Sequence, residues 1–147
     1  ILIKCSGLND FYSTNIFKIY PVTVHILELN IDQRLVKHDP TLVDDIAKVN
    51  ISGKDKYFYS FASKYCSHHQ PIEYPIYDSY VEKVLKYFFK KDKLIKFENN
   101  DLKQYETFKK ILLEFQKAYN IEEYSLKDLD RYLWQLGKHY FPNKYYS

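Results

Sequence analysis

A lysine and an aspartate frame the part of this chain best equipped for chemistry. Lys64 lies in the aromatic-rich run Ser60-Phe61-Ala62-Ser63-Lys64-Tyr65, and Asp78 follows the Pro-framed run Tyr74-Pro75-Ile76-Tyr77. A nucleophile-type residue and a carboxylate brought together by a helix and a return loop form a small catalytic kit. Lys54 and Lys56 lie a few residues upstream and could serve as neighbouring cations. The spacing predicts a helix over about 57–68 and then an extended loop, His69–Tyr77. A helix of about twelve residues rises ~18 Å, and nine extended residues travel up to ~30 Å. The loop can therefore return Asp78 to the start of that helix, which favours Lys54 or Lys56 as its partner. A later helix start gives that place to Lys64.

Other side chains in the same stretch carry weaker signals. Cys66, His68 and His69 are metal-ligand types, but a structural zinc site takes four ligands and a third and fourth are not evident, so no metal is expected. The two histidines are expected to close the helix or bond the return loop. Phe58, Phe61, Ala62 and Tyr65 follow core spacing, whereas Tyr57 and Tyr77 remain candidates to stack on a base. Lys86 with Tyr87–Lys93 forms a basic, aromatic run that reads as a helix end in water and could also meet phosphates.

The elements that must position these residues are helical in period almost throughout. Asn9–Ile19 and Val22–Leu29 carry apolar residues at three- and four-residue spacing, broken by Pro21. Asp39-Pro40-Thr41 predicts a helix start, with Asp39 as N-cap and Pro40 in the first turn, and Leu42, Val43, Ile46 and Val49 as its buried face. Asn50-Ile51-Ser52-Gly53 ends it in a tight turn. Asp78 opens the next helix, with Val81, Leu85 and Phe88 or Phe89 inside. Lys90-Lys91-Asp92-Lys93 closes it, with positive charge suited to a helix C-terminus. Asn99-Asn100-Asp101 caps a long helix whose stripe is Leu102, Tyr105, Phe108, Leu112, Phe115 and Tyr119. Ser125 with Asp128 forms a capping-box variant before Leu126, Leu129, Leu133, Leu136 and Tyr140, with Gly137 loosening the end and Trp134 as a half-buried anchor. The fold class is all-α, a single domain over residues 1–147.

Composition narrows the class of protein without naming a reaction. With 46% apolar and 28% charged residues the chain is ordinary for a globular domain. Its 16 Tyr and 10 Phe accompany high Lys, Ile and Asn, a coding-bias pattern that leaves the tyrosine count uninformative about binding. A net charge of +3 permits a nucleic-acid partner without arguing for one. Cys5 and Cys66 are too few for a disulfide scaffold and read as reduced thiols. No apolar run approaches the ~20 residues of a membrane span, and Ile1-Leu2-Ile3-Lys4-Cys5-Ser6-Gly7 is too short for a secretory leader. A cytoplasmic protein is expected. The chain starts at Ile1 and holds no methionine, which reads as a start inside a longer natural protein.

Ile51-Ser52-Gly53-Lys54, Ser63-Lys64 and Tyr74-Pro75-Ile76-Tyr77-Asp78 together resemble a family. Helix–hairpin–helix DNA glycosylases of the 8-oxoguanine type place a glycine-bearing hairpin before a helix carrying a catalytic lysine. A Pro-framed loop then leads to a catalytic aspartate at the next helix N-terminus. The resemblance covers about Val43–Leu85. It implies a compact orthogonal domain of about six to eight helices, from a bacterium, that flips an altered base out of DNA. It further implies Lys64 as Schiff-base nucleophile, with Lys54 as the alternative on geometry, and Asp78 as the assisting carboxylate. His68, His69, Tyr77 and Tyr57 are the implied substrate contacts, and DNA is the partner. No cofactor is called for. The competing reading is a non-catalytic helical module that grips DNA or another protein.

Overall fold

The computed structural model describes residues 1–142. The chain forms two compact units, residues 1–74 and 75–147. The described residues are mainly helical, with one small two-stranded sheet.

In the first unit, α1 spans Leu2–Phe11 and α2 spans Ile19–Glu28. The segment between them is not the helix that its apolar spacing suggests. Asn9 organises it instead: its Oδ1 accepts from Ile16 N at 2.9 Å and Thr14 Oγ1 at 2.7 Å, and its Nδ2 donates to Ile16 O at 3.1 Å. Pro21 does not break α2. It stands in the first turn, where an amide N–H would lack an intrahelical acceptor anyway. A short α3 over Asp32–Val36 leads to α4, Thr41–Ala47. Asp39 caps α4 as expected, accepting from Thr41 N at 2.9 Å and Thr41 Oγ1 at 2.7 Å. Leu42, Val43, Ile46 and Val49 are all buried. The Tyr74 hydroxyl donates to Asp39 O at 3.0 Å, which ties the end of the unit back to this cap.

The chain past Ala47 departs from the all-helical reading. Strands β1, Lys48–Ile51, and β2, Lys54–Tyr57, pair antiparallel, with Lys48 opposite Tyr57 and Ile51 opposite Lys54. Ser52 and Gly53 have φ of 53° and 78°, the two positive values that a tight type I′ hairpin needs. Asn50 Oδ1 accepts from Gly53 N at 3.0 Å and closes the turn. The sequence hides this hairpin because β2 is exposed at every position and so shows no alternation of apolar residues. Ser52 is the strained position, since an L side chain rarely adopts positive φ. Ser52→Asn is expected to stabilise the turn by about 0.5 kcal/mol, a fraction of the left-handed penalty that asparagine tolerates better. A thermal melt should show a rise of about 1–2 °C.

Helix α5 then runs Tyr59–His69 and is buried at Tyr59 and at every position from Phe61 to Ser67. Its later start leaves Lys54 and Lys56 in a strand instead of at a helix N-terminus.

In the second unit, α6 spans Ser79–Asp92, with Asp78 as its N-cap accepting from Tyr80 N at 2.8 Å. Val81, Val84 and Leu85 are buried and Phe88 and Phe89 half-buried. Asp101 opens only a single short turn, Asp101–Lys103, and α7 begins beyond it at Tyr105 and ends at Ala118. Leu102, Tyr105, Phe108, Leu112 and Phe115 are buried as the stripe predicts. Helix α8, Leu126–Tyr140, starts with the full reciprocal capping box of Ser125 and Asp128. Leu129 and Leu133 are buried, whereas Tyr140 is exposed. Gly137 does not loosen this helix. It is buried where α8 crosses α6, and a Cβ there would lie 2.6 Å from Tyr80 Cβ. Among the described residues no helix is long and apolar enough to cross a membrane.

Candidate functional site

Lys64 is the most unusual of the residues singled out by sequence. It sits on the fully packed part of α5 and is only 6% exposed. Its Nζ donates to Ser60 Oγ, one turn back, at 3.0 Å and lies 5.2 Å from the centre of the Tyr12 ring. A lysine is rarely this buried, because its ammonium is strongly hydrated in water. Burial of an amine in an aromatic, hydroxyl-lined environment is also the condition under which lysines serve as nucleophiles.

Lys54 stands in a different environment. It is exposed on β2, opposite Ile51, and its amine stays in water. Tyr57, at the end of the same strand, stacks on Tyr59 with ring centres 5.5 Å apart and donates its hydroxyl to Asp44 at 2.7 Å. Burial and the Asp44 carboxylate both push the Tyr57 hydroxyl pKa up. The ring keeps an exposed part, as contact with a ligand would require.

His68 and His69 close α5. His68 is exposed, while His69 is half-buried with its Nε2 accepting from Lys4 Nζ at 3.1 Å. Burial, Lys4 and His68 lower the His69 pKa below the usual histidine value, so the ring is neutral at physiological pH. Cys66, on the same helix, is fully buried and its thiol pKa is pushed up by that burial. Among the described residues no three His, Cys, Asp or Glu side chains gather as a metal site would need.

In the second unit the Pro-framed loop is fixed by buried polar groups. Tyr105 donates its hydroxyl to Pro75 O at 2.6 Å, and Ile76 N donates to Asp130 Oδ2 at 2.7 Å. Tyr77 is buried edge-on against Phe108, with ring centres 5.6 Å apart. The expectation that Tyr77 offers a ring face to a base gives way to this packing. Its hydroxyl instead bonds Glu82 and Lys103, and Lys86 bonds the same carboxylate. Burial alone would raise the Glu82 pKa. The hydrogen bonds from Lys86, Tyr77 and Lys103 outweigh it and hold the carboxyl at about 2.

Asp130 is a functional-type residue that sequence reading passed over. It is 3% exposed on α8, and burial raises its pKa to about 6 despite the bonds from Ile76 N and Lys127. A signal was available, since Asp130 falls within the apolar stripe Leu126, Leu129, Leu133. Asp78, by contrast, is placed as expected, at the first turn of α6.

Residues 1–73 match the family model HI_0787_N, described as an N-terminal domain. That match ends one residue before the first compact unit does. A Haemophilus influenzae protein described as uncharacterized is 55% identical to the chain over 135 residues. The alignment covers 91% of the chain and 64% of that protein, so the chain spans less than two thirds of its relative's length. No solved structure matches.

Proposed function

We propose that this chain is a DNA-base-processing protein resembling 8-oxoguanine DNA glycosylases, with Lys64 as its amine nucleophile. The observation that carries the reading is the burial of Lys64 within α5, on the segment that bears the resemblance. The N-cap position of Asp78 at the start of α6 also agrees with the place that the resemblance expects for the family aspartate. Lys54 is the lesser candidate because its amine is solvated.

In the proposed reaction a nucleotide leaves the stack, since its sugar cannot be reached within a duplex. Once it has given up a proton, the Lys64 Nζ bonds to the anomeric carbon as the bond from that carbon to the base breaks. The base leaves with the electron pair and takes up a proton. The nitrogen releases one proton to solvent, and its other proton passes to the ring oxygen as the carbon–oxygen bond breaks and the sugar opens to the imine. By the resemblance, Asp78 stabilises the sugar cation and assists proton transfer. His68, His69 and the exposed part of Tyr57 are the proposed contacts to the nucleic acid.

A second reading, a protein-interaction module without catalysis, is favoured by apolar side chains left in water on the first unit. Ile3 is 89%, Phe11 80% and Phe17 99% exposed.

Borohydride trapping separates the two. Protein incubated with duplexes carrying 8-oxoguanine and other altered bases should give a covalent protein–DNA band. Lys64→Gln should abolish that band and Asp78→Asn weaken it at least tenfold, while Lys54→Gln leaves it intact. No band from folded protein on any duplex would transfer the assignment to the interaction module.

A further inference from the structure

Helix α1 has a thin hold on the first unit. Only Cys5 and Leu8 of its side chains are buried, while Leu2 and Ile3 are exposed. Two contacts with α5 fix its course. Near its start, Lys4 Nζ lies 3.1 Å from His69 Nε2. Just past its end, the Tyr12 ring centre lies 5.2 Å from Lys64 Nζ. Helix α1 therefore crosses α5 with its start at His69 and its end at the buried Lys64 amine.

The first of these contacts exists in one protonation state only. An ammonium group has three donors and no acceptor, so the ring nitrogen that meets Lys4 must offer its lone pair. His69 is therefore the neutral tautomer with its proton on Nδ1. A second proton would go to Nε2, the atom that Lys4 occupies, and would replace a hydrogen bond with two facing cations. The ring is flanked by Lys4 of α1, by Asp32 of α3, and by Tyr65 and His68 of its own helix, with ring centres 5.1 and 6.3 Å away. Burial, Lys4 and His68 oppose the second proton and outweigh Asp32, which favours it.

We propose that α1 is a pH-released strap across α5, fastened at its Lys4 end while His69 is neutral and let go from that end when the ring takes up a proton. The folded protein binds this proton less tightly than the unfolded chain does. The hold is thus fully present above the ordinary histidine value of 6.5 and is lost as pH falls through the lowered value in the fold. The far end stays pinned, since Asn9 bonds Thr14 and Ile16 beyond it. The strap therefore opens from its start, and the buried Cys5 thiol is the first group uncovered. The device bears on access to Lys64, where the same strap ends, but it stands whether or not that amine acts as a nucleophile.

The two cysteines provide the test. Cys5 lies in the strap and Cys66 in the helix beneath it, and both are fully buried. The full chain is treated with 4,4′-dithiodipyridine, which still reacts with thiols in mild acid, and the labelling rate of each cysteine is read by peptide mass spectrometry. The ratio of Cys5 to Cys66 labelling removes most of the reagent's own pH dependence. It should rise at least fivefold between about pH 7.5 and about pH 5, across the range in which histidine titrates. His69→Gln keeps an acceptor for Lys4 that cannot become charged, so its ratio should stay low and change less than twofold. Lys4→Met removes both the donor and the opposing cation, so its ratio should be raised already near neutral pH and change little with acid. His68→Gln should keep most of the wild-type response. A flat wild-type ratio, or the same rise in His69→Gln, would overturn the proposal. So would a parallel rise at both cysteines, which marks acid unfolding of the whole unit in place of release of α1.

Discussion

Gly137→Ala is expected to destabilise the second unit by about 2 kcal/mol or more. In an isolated helix the same change would help, because alanine is favoured over glycine in a helix interior by about 1 kcal/mol. Here α8 crosses α6 at this residue. The new Cβ would lie 2.6 Å from Tyr80 Cβ, 2.7 Å from Tyr80 O and 2.9 Å from Tyr80 C. Two of those atoms are backbone, so no side-chain rotation relieves the overlap and the helices must move apart. Overpacking of this kind costs about 1–3 kcal/mol and sometimes more, which outweighs the propensity gain. A thermal melt should show a drop of at least about 5 °C. Gly7→Ala is the matched control: Gly7 lies inside α1 with nothing within 4 Å of a Cβ, and should be neutral or slightly stabilising. Equal behaviour of the two variants would sink the close crossing of α6 and α8.

Asp130 leads to a pH-dependent expectation of similar size. Its carboxyl titrates at about 6 in the folded protein, raised mainly by burial, against an ordinary value near 3.8. The folded state therefore binds this proton more tightly than the unfolded chain does. The resulting stability is fully present below about pH 4 and is lost as pH rises through about 6. The difference between about 6 folded and 3.8 unfolded corresponds to ~3 kcal/mol. Asp130→Asn replaces the carboxyl with a neutral group that can still accept from Ile76 N. The difference in stability between variant and wild type should therefore grow from pH 4 to pH 7 in favour of the variant. Taking the difference removes the other titrating groups, such as Glu82, which loses its ion pairs only towards pH 2. Asp130→Ala should instead destabilise at every pH by about 1–3 kcal/mol, because it leaves the half-buried Ile76 N–H without its acceptor. Denaturant unfolding at pH 4, 5, 6 and 7 measures all three proteins, and a flat difference curve for Asp130→Asn would refute the raised titration.

How far the sequence could be read depended on the range of each interaction. The Asp39, Asp78 and Ser125–Asp128 caps lie within three residues of the amides that they bond. The buried faces of α4, α6 and α7 repeat at helical spacing and so were legible as stripes. The β1–β2 hairpin was not, because its outer strand carries Lys54, Asp55 and Lys56 in water and leaves no apolar alternation to detect. Its turn was visible only as a tight reversal at Ser52 and Gly53. The same shortfall affected the site. Lys64 and Asp78 stood out by type and setting, but nothing around Lys64 in the chain announces that it is almost wholly buried.

Helix period, caps, turn positions and most core positions follow from local pattern, since they rest on side chains reaching backbone or neighbours no more than about one turn away. Burial of Lys64 beside Tyr12, the raised titration of Asp130 and the inward turn of Glu82 and Asp92 arise from contacts that local pattern does not encode. So does the need for glycine at 137. Each depends on residues about 20 to 60 positions apart brought together by packing, and the cost of burying a charge or adding a methyl group is set by that packing rather than by residue type.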